Sequence, residues 1–169
     1  LDKRDLVIRP IRAEDIGAVQ DFLFTQLQEL FAQDGQAAIT DDVWGLGKTY
    51  LEPDNCNMWA VFTPEGTVVG TAAICAYNGR IELLKGRYHL PTTAEVGRCY
   101  IDAKLRRQGI GSKLVEAMTQ FCKDHGYRTM YLHTHHFLPG GFNFWQKQGF
   151  AITIDQGGSL EIVHMEKIL

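Results

Sequence analysis

Glu95-Val96-Gly97-Arg98-Cys99-Tyr100-Ile101, followed through residues 102–105 by Arg106-Arg107-Gln108-Gly109-Ile110-Gly111-Ser112, orders the rest of the chain around it. Residues 95–101 read as a strand. Residues 109–125 put Ile110, Leu114, Val115, Met118, Phe121 and Cys122 on one helical face, so a short loop joins a strand to an amphipathic helix. Lys123 and His125 suit the negative end of that helix, and Gly126 supplies its stop. The glycines of Arg106-x-x-Gly109-x-Gly111 remove side chains where a ligand must approach the backbone. A helix starting there leaves N–H groups, from about Gln108 to Ser112, without intrahelical acceptors. With the helix dipole added, this is a pocket for phosphate. Lys104, Arg106, Arg107 and Lys113 crowd the same spot, as a polyphosphate would require. The bland alternative is a glycine-bearing loop with an unused helix start.

Two other phosphate motifs fail. The dinucleotide fingerprint needs a third glycine, and Leu114 stands there. Gly47-Lys48-Thr49 resembles the end of a P-loop, but Asp42 occupies the place of its first glycine.

Outward from this stretch, elements alternate. Residues 6–9 read as a strand stopped by Pro10, and 14–31 carry Ile16, Val19, Phe22, Leu23, Leu27, Leu30 and Phe31 at helical spacing up to a break at Asp34-Gly35. A short helix is expected over 41–51, capped by Thr40 or Asp41. Residues 58–63 and 67–77 bracket Pro64-Glu65-Gly66 as a hairpin. Residues 80–93 show no clear pattern. Further strands are expected over 129–134, 150–154 and 160–166, with a short helix over 142–148 ended by Gly149. Hairpins at both ends imply an α+β chain with a mixed central sheet rather than a purely parallel one.

Composition bounds the function. At 169 residues the chain suits a single domain with its own core. Lys plus Arg number 17 against 20 Asp plus Glu, a net charge of −3, which disfavours nucleic acid and anionic membranes as partners. The nearly apolar run 68–76 is far short of the ~20 residues of a membrane span. No secretory signal is visible, and the opening Leu1 suggests that the native start is missing. Cys56, Cys75, Cys99 and Cys122 form no Cys-x-x-Cys pair, and the last three sit in apolar segments. They read as buried thiols of a reducing, cytoplasmic protein.

Arg106-x-x-Gly109-x-Gly111 after a strand, Phe144-Trp145-Gln146-Lys147-Gln148-Gly149-Phe150 about 40 residues later, and the opening Ile8-Arg9-Pro10-Ile11-Arg12 with Asp15 together resemble the GNAT superfamily of acyl-CoA N-acyltransferases. The resemblance covers nearly the whole chain and is weakest over 78–93. It implies a central mixed twisted sheet with helices on both faces, acetyl-CoA as cofactor, and acetyl transfer to a small-molecule or peptide amine. Oligomeric state stays open, a homodimer included. It places the pyrophosphate on Arg106, Arg107, Gln108, Gly109, Ile110, Gly111 and Ser112, and pairs the pantetheine arm with Cys99, Tyr100 and Ile101 like an added strand. A backbone N–H near Tyr100 or Ile101 would polarise the thioester carbonyl. Family members with a base in this strand carry a Glu eleven residues before the phosphate motif, where Glu95 stands. Alternation would set Glu95 on the face of Gly97 and Cys99 if no bulge intervenes. The competing reading of Glu95 is a solvated carboxylate or an ion pair with Arg98.

Two positions depart from the family pattern. Trp145 replaces the usual late-helix Tyr acid, and Leu138 replaces an Asn that contacts the cofactor. Tyr100, Tyr131, His135 or solvent would then protonate the leaving thiolate. His133, His135 and His136 read as strand-end polar groups or as lining of the site, and no metal is expected. Trp44 and Trp59 read as core or acceptor-pocket wall. A CoA-binding module without turnover is the rival in a different class, and another nucleotide-binding α/β protein is a third reading.

Overall fold

The computed structural model describes residues 5–31 and 38–169, so the Asp34-Gly35 break lies outside the described residues. The strands β1 (Val7–Pro10), β2 (Asn57–Phe62), β3 (Val68–Ala76), β4 (Thr93–Ile101), β5 (Thr129–His135), β6 (Ala151–Gly157) and β7 (Ile162–Ile168) are hydrogen-bonded in the order β1-β2-β3-β4-β5-β7-β6. The sheet is mixed: β4 and β5 are parallel, whereas β1–β2, β2–β3, β5–β7 and β6–β7 are antiparallel. The helices are α1 (Ile16–Phe31), α2 (Asp41–Trp44), α3 (Ile110–Asp124) and α4 (Gly141–Lys147). Among the described residues no helix is long and apolar enough to cross a membrane. The chain divides into two compact units, Leu1–Cys75 with Gly97–Met118 and Ala76–Val96 with Thr119–Leu169.

In the first unit α1 buries Val19, Phe22, Leu23 and Leu27, the face that its spacing predicts, against Met58, Ala60 and Phe62 of β2. Leu23 and Leu27 are wholly inaccessible, worth roughly 2 kcal/mol of transfer free energy each. Arg9 and Asp15, both in the opening motif, form a bidentate ion pair at 2.7 and 3.1 Å. The Asp15 carboxylate also accepts from the Arg12 N–H, which fixes the chain's entry into α1. The helix expected over 41–51 is divided. Trp44 ends α2, and Gly47–Leu51 forms a π-helical turn that accounts for the Gly47-Lys48-Thr49 string without a phosphate.

The second unit holds β5, β7 and β6 with the start of β4, whose parallel register with β5 runs from Thr93↔Thr129 to Glu95↔Tyr131. The patternless stretch forms two 3-10 turns, Glu82–Leu84 and Leu90–Thr92. Buried Leu84 packs with Tyr77 and Tyr131, and Tyr88 joins their rings at centroid distances of 5.8 and 5.5 Å. Arg87 adds an ion pair to Glu166 at 2.6 Å.

Both helix stops predicted from glycine are Schellman caps. After α3, Gly126 N–H donates to the Lys123 carbonyl and Tyr127 N–H to that of Cys122, with φ of +79° at Gly126. After α4, Gly149 N–H donates to Gln146 and Phe150 N–H to Trp145, with φ of +94° at Gly149.

Candidate functional site

The phosphate-loop residues all belong to the first unit. β4 ends where Asp102 N–H donates to the Val69 carbonyl at 2.9 Å. The Asp102 carboxylate then caps the turn Ala103–Leu105 by accepting from Lys104 N–H, and buried Leu105 anchors that turn. Arg107 and Gly109 follow with φ of +62° and +82°, and α3 begins at buried Ile110. These left-handed turns bring successive backbone amides around before the helix start, the form that an anion-binding concavity takes. Among the described residues, a Cβ at Gly109 would meet no atom within 4 Å. Among the described residues no acid pairs with Lys104, Arg106, Arg107 or Lys113. Arg106 does more than the motif suggests, because its Nε donates to the Ile101 carbonyl at 3.1 Å and ties the loop to the end of β4.

The alternation expected along β4 is broken. Arg98 has φ of +51°, a conformation that costs a residue with a Cβ about 1–2 kcal/mol. Its carbonyl accepts from Thr71 Oγ1 at 2.7 Å. Its guanidinium meets Asp42, with Nε to Oδ2 and Nη2 to Oδ1 both at 2.8 Å. Thr40 and Tyr50 donate their hydroxyl hydrogens to the same carboxylate at 2.5 and 2.6 Å. Burial alone would push the Asp42 carboxyl up, but the Arg98 bonds and charge and the two hydroxyls bring it down to about 2. Neither Asp42 nor the kink at Arg98 is legible from spacing.

Beyond the kink, Cys99 is partly accessible, yet lost hydration pushes its thiol up to about 12. Burial raises the Tyr100 hydroxyl as well. Cys122 is fully buried, whereas Cys56, Cys75 and Cys99 are only partly so, and none of the four is in a disulfide. Trp59 is core as expected. Trp44 is not: it is 59% exposed, with Phe24 against its ring at 4.9 Å.

Glu95 lies in the second unit. Its partner is Arg80, from the patternless stretch, rather than Arg98. Nη1 and Nη2 donate to Oε1 and Oε2 at 2.6 and 2.8 Å. Asn78 Oδ1 accepts from Arg80 and steadies that arginine. Tyr131, opposite Glu95 in the parallel register, is wholly buried and donates its hydroxyl hydrogen to His164 Nδ1 at 2.8 Å. His164 Nε2 in turn donates to Gln156 Oε1 at 2.7 Å. That chain commits the Tyr131 proton, so Tyr131 is a poor candidate acid. His135 Nδ1 donates to the Leu160 carbonyl and His136 pairs with Asp155, so these two act as strand-end groups. His133 is accessible, yet lost hydration pulls its pKa down to about 4 against the opposing charge of Glu95. Its ring is therefore neutral at physiological pH.

Trp145 is 8% exposed and stands at the position whose carbonyl closes the Schellman cap, with Phe150 on its ring at 5.4 Å and Phe144 at 4.9 Å. This is the hydrophobic contact that accompanies such caps. The Gly149-Phe150 pair is thus a helix-ending device with Trp145 as its apolar anchor. Trp145→Phe is expected to lower turnover by less than threefold, far below the ~10²-fold or more that removing an acid costs. Steady-state rates beside a thermal melt check this.

Several comparisons place this arrangement among known proteins. The model of the acetyltransferase (GNAT) family matches residues 19–150. No curated protein matches the sequence. Among solved structures, a GNAT-family acetyltransferase from Staphylococcus aureus Mu50 is 16% identical, with a TM-score of 0.73 over 97% of this chain and 99% of that one. The PaiA N-acetyltransferase from Thermoplasma acidophilum, in complex with coenzyme A, is 17% identical with a TM-score of 0.75 over the same shares. A ribosomal-protein-alanine N-acetyltransferase from Brucella melitensis is 17% identical with a TM-score of 0.73, over 96% and 99%. At these identities the likeness is one of fold.

Proposed function

Because the chain belongs to the GNAT acetyltransferase family, we propose that it transfers the acetyl group of acetyl-CoA to an amine by direct attack, with both substrates bound at once. The family match over residues 19–150 runs through both compact units, which supports reading the chain as one catalytic domain. One observation carries the cofactor assignment: at Gly109 the left-handed backbone, the space for a Cβ and basic side chains that have no acidic partner among the described residues coincide at the start of α3. These residues fit a pyrophosphate. Arg106, Arg107, Gln108, Gly109, Ile110, Gly111 and Ser112 would hold it, and the backbone of Cys99, Tyr100 and Ile101 would pair with the pantetheine amides. Acetyl-CoA supplies an activated thioester when bound.

The chain's own groups account for the rest. A backbone N–H of Tyr100 or Ile101 donates to the thioester carbonyl and stabilises charge on its oxygen. Glu95 accepts the proton that an ammonium must lose before its nitrogen can attack. An acyl-cysteine intermediate on Cys99 is disfavoured, because a thiol with a pKa near 12 yields about one thiolate in 10⁵ at neutral pH. A dedicated acid is dispensable, since thiols ionise near pH 8.5 and a thiolate leaves with little help.

The deciding experiment is thiol release from acetyl-CoA across a panel of small amines, amino acids and peptides. Turnover on any amine supports the enzyme. Tight binding of acetyl-CoA with no turnover on any of them favours the CoA-binding module instead, the reading that Trp145 and Leu138 invite.

Arg106 tests the loop separately. Arg106→Ala is expected to weaken CoA at least tenfold, since charged guanidinium–phosphate bonds are strong. Dephosphorylated pantetheine should weaken only about threefold, through loss of the Nε bond to Ile101. Calorimetric titration with both ligands measures the difference, and equal losses would assign Arg106 to packing alone.

A further inference from the structure

We propose that Asp42 is a positioning residue for the acetyl-CoA strand: by clamping the Arg98 guanidinium it holds the left-handed kink that sets the direction of residues 99–101. The inference rests on the reading of residues 99–112 as the acetyl-CoA site. Among the described residues three with a Cβ hold positive φ, namely Arg98, Arg107 and Glu161. Arg107 and Glu161 are exposed, and among the described residues neither is in an ion pair. Arg98 differs in having both ends of the residue fastened. Its carbonyl is fixed by Thr71 and its side chain by Asp42 and Thr40, with side-chain exposures of 14% at Arg98 and 22% at Asp42. Asp42 is saturated in turn, because Arg98, Thr40 and Tyr50 together supply four hydrogen bonds to its two oxygens.

A kink in mid-strand reverses which face the following side chains occupy and which way the following N–H groups point. In β4 those groups are Cys99, Tyr100 and Ile101, the ones proposed to meet the pantetheine. Arginine is a poor choice for a left-handed position, where glycine adopts the conformation freely. A clamped arginine is instead held there by its own side chain, and the clamp reaches α2, the element that carries Asp42.

The test uses this asymmetry between alanine and glycine. Arg98→Ala keeps the Cβ and loses the clamp, and it should weaken acetyl-CoA about tenfold by calorimetric titration. Arg98→Gly loses the same guanidinium but adopts the kink unaided, and it should recover most of that loss. Asp42→Asn should weaken acetyl-CoA in the parent protein and have no further effect in the Arg98→Gly background, a non-additivity that marks one shared device. Thermal melts of all variants accompany the titrations, and the Asp42→Asn pair decides alone if Arg98→Ala does not fold. Equal losses for alanine and glycine, or an Asp42→Asn effect that persists beside Arg98→Gly, would overturn the proposal. Failure of the parent protein to bind acetyl-CoA would overturn the functional reading itself.

Discussion

Gly109→Val is expected to abolish acetyl-CoA binding, a loss of more than 100-fold, in a protein that still folds. The two halves of that expectation have different causes. With φ of +82°, a residue with a Cβ is strained by about 1–2 kcal/mol, and a β-branched one by more. Among the described residues, a Cβ there meets no atom within 4 Å, so the added side chain starts in open space. A domain with the usual 5–15 kcal/mol of stability survives such a cost. The same space is where a diphosphate must approach the amides of the loop, and a branched side chain fills it. Gly109→Ala should fall between the two, with strain similar to that of valine but less bulk. Circular dichroism and a thermal melt establish the fold, and calorimetric titration reads the affinity. Parent-like affinity in a folded Gly109→Val protein would remove the phosphate pocket from the functional reading.

What made that loop legible is local chemistry. Gly109, Gly126 and Gly149 all adopt positive φ, so in each case the residue type and the backbone conformation coincide. The apolar spacing of α1 and α3 likewise reports contacts within a few turns of helix. Long-range partners left no such trace. Arg80 meets Glu95 across 15 positions and Arg98 meets Asp42 across 56, and neither pair has a spacing that distinguishes it from any two opposite charges. The stretch over residues 80–93 lacked a period because its fixed points, Leu84 and Tyr88, pack with Tyr77 and Tyr131, which lie outside it. The kink at Arg98 could not be anticipated, since a positive φ at arginine is set by tertiary bonds. The alternation expected from Glu95 to Cys99 is conditional on a regular strand, and the positive φ at Arg98 removes that condition. Of the two alternatives for Trp44, core or acceptor-pocket wall, the first is excluded, because its ring lies on the surface against Phe24.

Glu95→Gln is expected to lower turnover 10²–10⁴-fold at neutral pH, the usual range for a general base, while acetyl-CoA affinity stays within about twofold. An amine arriving as ammonium must shed a proton before its lone pair can reach a carbonyl carbon. A strand of six residues spans about 20 Å when extended, so the proposed role has water relay the proton to Glu95. The ion pair with Arg80 does not disqualify the carboxylate. Its two oxygens offer about four lone-pair sites, and Arg80 uses two of them. Glutamine preserves the shape and can still accept from Arg80, but it cannot take a proton. The variant then depends on amine that is already neutral, so its rate should climb about tenfold per pH unit toward the amine's own pKa, near 10.4 for a lysine-like acceptor. A parent enzyme with a working base has no such dependence across the same range. Rates from pH 6 to 10, with titrations of acetyl-CoA and a thermal melt, distinguish a lost base from a damaged fold. A Glu95→Gln protein with the parent's rate and the parent's pH profile would show that Glu95 serves only its bond to Arg80.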